Sequence, residues 1–305
     1  MLPAEVVIKE VGPRDGLQNE TQKVPTEIKL KLIEMLEASG LSYIEATSFV
    51  HPKWIPQLSD ADELLKQLSG LVQYSALVPN IKGLERAAQT NLNEIAVFIS
   101  ASEVHNQKNL NKSVQQAMAD IKHVIENSCD RYNIRAYISM VFGSPFGDKI
   151  ELEQVKQLMT ELFALGVYEI SLGDTTGMAD PSQVDEVLTE LLTDFDASKI
   201  ALHFHDTNGL ALANIYVSLQ HGVSVFDTSV GGLGGCPYAE GAAGNVATED
   251  VVYLMDQLNI TTGIDSEQLL KTADFITTTL NITPVSSQLR KYKGAVDDTI
   301  NRGAL

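Results

Sequence analysis

Short apolar runs alternate with amphipathic stretches along the whole chain. Eight of these runs are rich in β-branched and aromatic residues and have the length of a strand. The predicted strands cover residues 5–11, 42–48, 71–78, 94–100, 134–141, 167–173, 199–205 and 223–230. Regular alternation of strands and helices is typical of an α/β protein with a parallel sheet.

The amphipathic stretches between the strands predict helices. They cover residues 26–40, 80–90, 112–130, 151–166, 181–194, 209–221 and 247–258, with Thr26 as the expected N-cap of the first. Eight strands with intervening helices favour a (β/α)8 TIM barrel, although a doubly wound sheet alternates similarly. We predict one catalytic barrel domain over residues 1–305. Residues 265–305 form its C-terminal extension, with a helix at 265–280 and a polar tail at 283–305.

The charge of the chain narrows the classes of partner. It carries 40 acidic and 22 basic residues, a formal net charge of −18. Nucleic acids and anionic membranes are bound largely through Lys and Arg, so we expect neither partner. The sequence shows neither the run of about 18 apolar residues of a membrane helix nor a signal-peptide pattern. Two cysteines, Cys129 and Cys236, do not form a disulfide framework, and we expect a cytoplasmic protein.

Polar residues at the ends of the predicted strands are the candidates for function, because barrel enzymes place their active site there. They are Arg14, Asp15, Glu45, Ser48, Asp174, His203, His205, Cys236 and Asn245. Taken alone, most have a structural explanation: an Asp caps turns, an Arg is often a surface charge, and two histidines in a strand more often pack than bind metal. Their convergence on one face of a barrel favours a functional site.

The two histidines predict a metal site. His203 and His205 are two residues apart in a strand, so their side chains point to the same face. With the carboxylate of Asp15 and the amide oxygen of Asn245 they supply two nitrogen and two oxygen ligands. This set favours Mg²⁺ or Mn²⁺, while Zn²⁺ stays an alternative. Glu45 lies in an apolar run, where a carboxylate needs a partner, and Arg14 is the expected one.

A glycine-rich segment follows the last predicted strand, 228-TSVGGLGGCPYAEGAAGN-245. It contains no phosphate-binding glycine motif. The glycines are better explained by close approach of the backbone to a substrate. We expect this loop to close over the substrate and to bring Cys236 and Asn245 to the site.

Five separated segments together resemble the 3-hydroxy-3-methylglutaryl-CoA lyases, a family of metal-dependent barrel lyases. They are 11-VGPRDGLQNE-20, 44-IEATSFVHPKW-54, 168-YEISLGDTTG-177, 203-HFHDTNGLALAN-214 and 228-TSVGGLGGCPYAEGAAGNVATED-250. The resemblance spans nearly the whole chain. It implies cleavage of 3-hydroxy-3-methylglutaryl-CoA to acetyl-CoA and acetoacetate, the chemistry of leucine degradation, with Mg²⁺ or Mn²⁺ and in a homodimer.

The resemblance also implies roles for residues at matching positions. The metal ligands are Asp15, His203, His205 and Asn245. The catalytic residues include Arg14 and Cys236, with Glu45 as a supporting carboxylate; Tyr137 and Asp174 match active-site positions of less defined role. Cys236 is suited to protonate the enolate, whereas the base is left open between Asp15 and His203. Ser48, Tyr137 and Asp174 are candidate substrate contacts. From its position after the fourth predicted strand, Lys108 is a candidate contact for the CoA phosphates.

Three other functions stay open at the level of sequence. A Claisen-type synthase of the same metal-barrel group joins acetyl-CoA to a 2-oxo acid, and such synthases usually carry a long additional C-terminal region. A pyruvate-dependent aldolase acts on a free acid. A non-catalytic binding protein is disfavoured by the combination of Arg14, Asp15, both histidines and Cys236.

Overall fold

The computed structural model describes residues 1–128, 131–234 and 244–303, with side chains described up to residue 295. Eight parallel strands close into a barrel in the order of the sequence. They are β1 (Val7–Glu10), β2 (Tyr43–Ser48), β3 (Gln73–Leu77), β4 (Glu94–Ser100), β5 (Asn133–Ser139), β6 (Glu169–Asp174), β7 (Ile200–Phe204) and β8 (Val225–Thr228). Every predicted strand is present with its ends within two residues of the predicted ones, and the predicted barrel is confirmed.

Helices surround the barrel. They are α1 (Thr26–Ala38), α2 (Ala61–Lys66), α3 (Ile81–Ala87), α4 (Glu103–Leu110), α5 (Val114–Asn127), α6 (Leu152–Ala164), α7 (Pro181–Leu191), α8 (Ala211–Gln220), α9 (Thr248–Gln257), α10 (Ser266–Thr279) and α11 (Ser287–Gly303). The predicted helices are all present, while the short helices α2 and α4 were not predicted. None of the described helices is both long and apolar enough to cross a membrane.

Two local predictions are wrong. The segment at 283–305, predicted as a polar tail without a helix, is mostly helical, because α11 occupies Ser287–Gly303. A distant carboxylate starts this helix: Asp250 accepts the backbone N–H groups of Ser287 (3.0 Å) and Gln288 (2.9 Å). Thr26 is not an N-cap; it is the first residue of α1, and its hydroxyl donates instead to Asp60 (2.7 Å).

Charged and phenolic side chains near the N-terminal ends of the strands form the lower network. Its members are Lys9, Tyr43, Glu94, Arg135, Tyr168 and Glu169. Glu169 Oε1 accepts from Lys9 Nζ (2.8 Å) and Arg135 Nε (2.5 Å). The two oxygens of Glu94 accept from the phenols of Tyr43 (2.5 Å) and Tyr168 (2.9 Å). Burial of charge is thus matched by pairing at this end of the barrel.

Candidate active site at the C-terminal end of the barrel

A single π-helical turn, Gly12–Gly16, follows β1 and places two candidate side chains, Arg14 and Asp15, at the mouth of the barrel. The amides of Arg14 (3.1 Å), Asp15 (2.7 Å) and Gly16 (3.3 Å) all donate to the carbonyl oxygen of Val11. Glycine is needed at position 16, since a Cβ there would lie 2.8 Å from the Cβ of Leu233. The turn therefore depends on close contact with the start of the glycine-rich segment.

Arg14 is held between two carboxylates. Its Nε donates to Glu45 Oε1 and its Nη1 donates to Asp15 Oδ1. Tyr137 donates to the other oxygen of the fully buried Glu45 (2.7 Å). Burial opposes the charge of Arg14, but Glu45 and Asp15 outweigh it and raise the pKa of the guanidinium. The predicted pairing of Arg14 with Glu45 is present, and the guanidinium is charged and fixed in position.

Asp15, His203 and His205 form the one group of three Asp, Glu, His or Cys side chains with metal-ligand spacing in the described part of the chain. Each offers a ligand atom, and these atoms lie within 4.8 Å of one another. Asn245 joins the group, because its Nδ2 donates to Asp15 Oδ2 (2.8 Å). The structure therefore brings together the four side chains predicted to bind a metal.

The electrostatics of the cluster suit a cation. Burial would raise the pKa of Asp15, but Arg14, the two histidines and the bond from Asn245 lower it to about 2. Burial and the neighbouring His203 lower the pKa of His205 to about 4. At neutral pH Asp15 is therefore ionised and His205 is neutral, which are the forms that bind metals.

Unpaired atoms support the same reading. Nδ1 of His205 and Oδ1 of Asn245 are buried without a hydrogen-bond partner in the described structure. A half-turn of the Asn245 amide would place its Oδ1, instead of its Nδ2, next to Asp15, where the oxygen could bind a cation. These residues therefore fit a divalent cation with mixed nitrogen and oxygen ligands.

Three further candidates lie outside this cluster. Asp174 accepts the backbone N–H of Met178 (2.9 Å), its Oδ2 is buried without a described partner, and burial raises its pKa to about 6. Ser48 lies at the end of β2, and its hydroxyl donates to the carbonyl oxygen of Leu77 (3.3 Å). Lys108, in α4, places its ammonium group 3.9 Å from the ring centroid of Phe146.

The base of the glycine-rich segment is anchored by two buried glutamates. Glu10 accepts the amide of Val230 (3.0 Å), and Glu249 accepts that of Gly231 (3.0 Å). Gly234 has φ +95°, and a Cβ there would lie 2.7 Å from Asn245 Nδ2, so glycine is required beside the cluster. Cys236, like Cys129, lies outside the described residues, and the predicted loop closure stays a prediction.

Sequence reasoning missed two residues beside the cluster. Gln18 donates to Asp15 Oδ1 (2.8 Å), and Asp227 Oδ2 lies 3.4 Å from His203 Nδ1. A signal for Asp227 was present, since it is a charged residue in the apolar run 223-VSVFDTSV-230, as Glu45 is in its own strand. No comparable signal marks Gln18.

Comparison with known proteins gives one family. The HMGL-like family matches residues 5–276. The hydroxymethylglutaryl-CoA lyase YngG of Bacillus subtilis (strain 168) is 51% identical over 297 residues, which cover 96% of this chain and 99% of that protein. The mitochondrial hydroxymethylglutaryl-CoA lyase of Rattus norvegicus is 46% identical over 283 residues, covering 92% and 87%.

Solved structures agree with the sequence relatives. The crystal structure of the Bacillus subtilis HMG-CoA lyase superposes with a TM-score of 0.93 at 50% identity and covers 96% of this chain and 99% of that one. An HMG-CoA lyase from Acinetobacter baumannii, in complex with coenzyme A and 3-methylmalate, gives a TM-score of 0.90 at 38% identity over 94% and 95% of the two chains. The similarity therefore extends over the barrel and the site.

Proposed function

Because the chain belongs to the HMGL-like family, we propose that it cleaves 3-hydroxy-3-methylglutaryl-CoA to acetyl-CoA and acetoacetate. One observation carries this proposal: an arginine clamped by Glu45 lies directly beside the Asp15, His203 and His205 cluster. Its relatives are named hydroxymethylglutaryl-CoA lyases, so the chain is a carbon–carbon lyase. The same names indicate an acyl-CoA as the class of substrate.

We also propose that the cluster holds a divalent cation, Mg²⁺ or Mn²⁺, through Asp15, His203, His205 and Asn245. When bound there, such a cation lowers the pKa of the C3 hydroxyl of the substrate and fixes the geometry of the reacting carbon. The lowered pKa values of Asp15 and His205 support this assignment, because neither group has to lose a proton at neutral pH before binding.

Arg14 is assigned to the negative charge that develops in the reaction. Cleavage of the C2–C3 bond leaves a thioester enolate, so a fixed cation near its oxygen lowers the barrier. Nε and Nη1 of Arg14 are engaged by Glu45 and Asp15, which leaves Nη2 to donate to the enolate oxygen. Glu45 has both oxygens occupied, by Arg14 and Tyr137, and acts as a positioning residue rather than as the base.

Two proton transfers complete the proposed mechanism. Asp15 or His203 receives the proton of the C3 hydroxyl; Nε2 of His203 lies 4.0 Å from Asp15 Oδ2, so both groups face the same space. His203 can take this role only while Nε2 is not bound to the cation, and Asp15 is the base when Nε2 is bound. Cys236 then protonates the enolate carbon. This second role rests on the family resemblance and on thiol chemistry, since a thiol with a pKa near ~8.5 is mostly protonated at neutral pH.

An acetoacetate assay tests the activity. The protein is incubated with 3-hydroxy-3-methylglutaryl-CoA and Mn²⁺ or Mg²⁺, with a chelator in a parallel reaction. We expect acetoacetate and acetyl-CoA in equal amounts, with formation abolished by the chelator and restored by excess metal. If no acetoacetate forms, but acetyl-CoA is consumed when a 2-oxo acid is added, the protein is the rival synthase.

Alanine and serine variants of Cys236 test its role, and normal turnover in both would exclude it as the proton donor.

We further propose a cytoplasmic homodimer. The family resemblance supports the dimer, and a composition with two cysteines supports a reducing compartment. Sedimentation at several concentrations tests the dimer, and a monomer at all of them would contradict it.

A further inference from the structure

Asp227 is a buried carboxylate that the proposed mechanism does not use. It lies on β8 and is 1% exposed. Its Oδ1 accepts from Arg135 Nη2 on β5 (2.7 Å), and its Oδ2 accepts from the hydroxyl of Ser171 on β6 (2.6 Å). Arg135 is in turn held by Glu169 of the lower network. Donors from two other strands therefore fix the orientation of this carboxylate.

The same carboxylate faces one side of His203. The two residues are cross-strand partners in the register of β7 and β8. Nδ1 of His203 lies 3.4 Å from Asp227 Oδ2, while Nε2, on the other side of the ring, lies 4.0 Å from Asp15 Oδ2. The separation of 3.4 Å exceeds an ordinary N–H···O bond, and a shift of a few tenths of an ångström would close it.

A neutral imidazole carries a single N–H, and a carboxylate can only accept a proton from it. Because the Asp227 carboxylate faces Nδ1, the proton of the ring is favoured on Nδ1. The lone pair then lies on Nε2 and points towards Asp15. Carboxylates in this relation to metal-binding histidines orient the ring and set its tautomer.

We propose that Asp227 is a positioning residue that holds His203 in its Nδ1–H tautomer, with Nε2 directed at the cation site, and that Arg135 and Ser171 keep Asp227 in the required orientation. The consequence for metal affinity rests on the proposed function, whereas the tautomer does not. The reaction site is thereby connected to the lower network through the sequence His203, Asp227, Arg135 and Glu169.

The tautomer is measurable in the metal-free wild-type protein. Long-range ¹H–¹⁵N correlation spectra at about pH 8 distinguish the two neutral forms of each histidine. His203 is expected to be protonated at Nδ1. His221 is an internal reference with the opposite geometry, because its Nε2 lies 2.7 Å from Asp185, and it is expected to be protonated at Nε2. An Nε2–H form of His203 would overturn the proposal.

Asp227→Asn tests the effect on metal binding. Arg135 can only donate, so it takes the amide oxygen and directs the amide N–H₂ towards Ser171 and His203. His203 must then accept at Nδ1 and carry its proton on Nε2, where it blocks the cation. We expect Mn²⁺ affinity, measured by calorimetry, to fall about 10–100-fold. The matched control Asp185→Asn alters the pair of His221 with Asp185, outside the candidate site, and should leave Mn²⁺ affinity unchanged.

The outcomes separate the two proposals. A folded Asp227→Asn protein with wild-type Mn²⁺ affinity would overturn the role of Asp227. If that variant does not fold, the tautomer of wild-type His203 decides. If the wild type binds no Mn²⁺ while His203 is protonated at Nδ1, the proposed metal is wrong and the positioning role of Asp227 stands.

Discussion

The two ends of the barrel contain the same kinds of buried polar side chain but use them differently. In the lower network, Glu94 and Glu169 each accept from two donors, and the unpaired buried atom there is Nη1 of Arg135. At the mouth, unpaired buried atoms occur on Asp174, His203, His205 and Asn245. Such an atom costs about 1–3 kcal/mol when it is left without a partner. Pairing stabilises the lower end, whereas the mouth retains groups that a ligand can satisfy.

The largest expected effect is the loss of a proposed metal ligand at the mouth. In His205→Ala we expect turnover to fall by a factor on the order of 10³ or more, because a catalytic cation contributes several kcal/mol to charge stabilisation. Mn²⁺ binding should weaken in parallel, while the midpoint of unfolding in the absence of metal changes little. His221→Ala is the matched control at a surface histidine. Unchanged Mn²⁺ affinity in His205→Ala would contradict the ligand assignment.

Removal of the clamped cation comes next. In Arg14→Gln we expect kcat to fall about 10²–10³-fold, the range for losing one preorganised donor to a developing anion. The loss should appear in kcat rather than in KM, because the charge on the enolate is absent from the bound substrate. A variant with raised KM and unchanged kcat would show that Arg14 binds the substrate without stabilising the enolate.

Glu10 gives a pH-dependent test at the base of the glycine-rich segment. Burial raises the pKa of this carboxyl to about 7, although Thr248 and the amides of Val230 and Gly12 act in the opposite direction. The folded protein thus holds a proton that the unfolded chain releases near pH 4.5. Stability from this group is present at low pH and is lost as the pH rises to about 7, by up to about 3 kcal/mol.

Glu10→Gln removes this titration. The free energy of unfolding, measured in urea at pH 5 and pH 7.5, should fall less between the two pH values in the variant than in the wild type. Gln has no proton to lose in this range and can still accept the hydrogen bonds from the two backbone N–H groups. An identical pH dependence in the two proteins would exclude Glu10 as the titrating group.

The smallest expected effect lies in the lower network. Tyr168→Phe removes a hydroxyl that donates to Glu94 (2.9 Å) and accepts from Lys9 (2.9 Å). We expect the free energy of unfolding to fall by about 1–2 kcal/mol, with kcat unchanged. The control is Tyr216→Phe, a tyrosine on the surface of α8. A loss of kcat in Tyr168→Phe would show that the lower network also tunes the reaction.

Features that depend on the local pattern of apolar and polar residues could be predicted from the sequence. The eight strands followed from apolar runs, and the proposed ligands on β7 followed from the alternation of side chains that places His203 and His205 on one face. Position at strand ends and the family resemblance identified Asp15 and Asn245. These signals need no knowledge of which distant residues meet.

What could not be predicted depends on distant contacts. The helix α11 is polar in sequence and is started by Asp250, which lies 37 residues before Ser287. Likewise, Arg135 and Asp227 each look costly in an apolar strand, and only the closed barrel shows that they neutralise each other across 92 residues. The orientation of His203 is determined by such a pair, so neither the tautomer nor its cause can be read from the local sequence.

The hydrogen bond from Asn245 to Asp15 joins groups 230 residues apart. It connects the turn after β1 to the segment after β8, and these are the two strands whose pairing closes the barrel. During synthesis, the chain therefore emerges with its first ligand long before the others. We expect the complete set of proposed ligands to assemble late in folding, because contacts between such distant parts of a chain carry a large loop-closure entropy. On this expectation, a growing chain presents no complete candidate cation site until its barrel has closed.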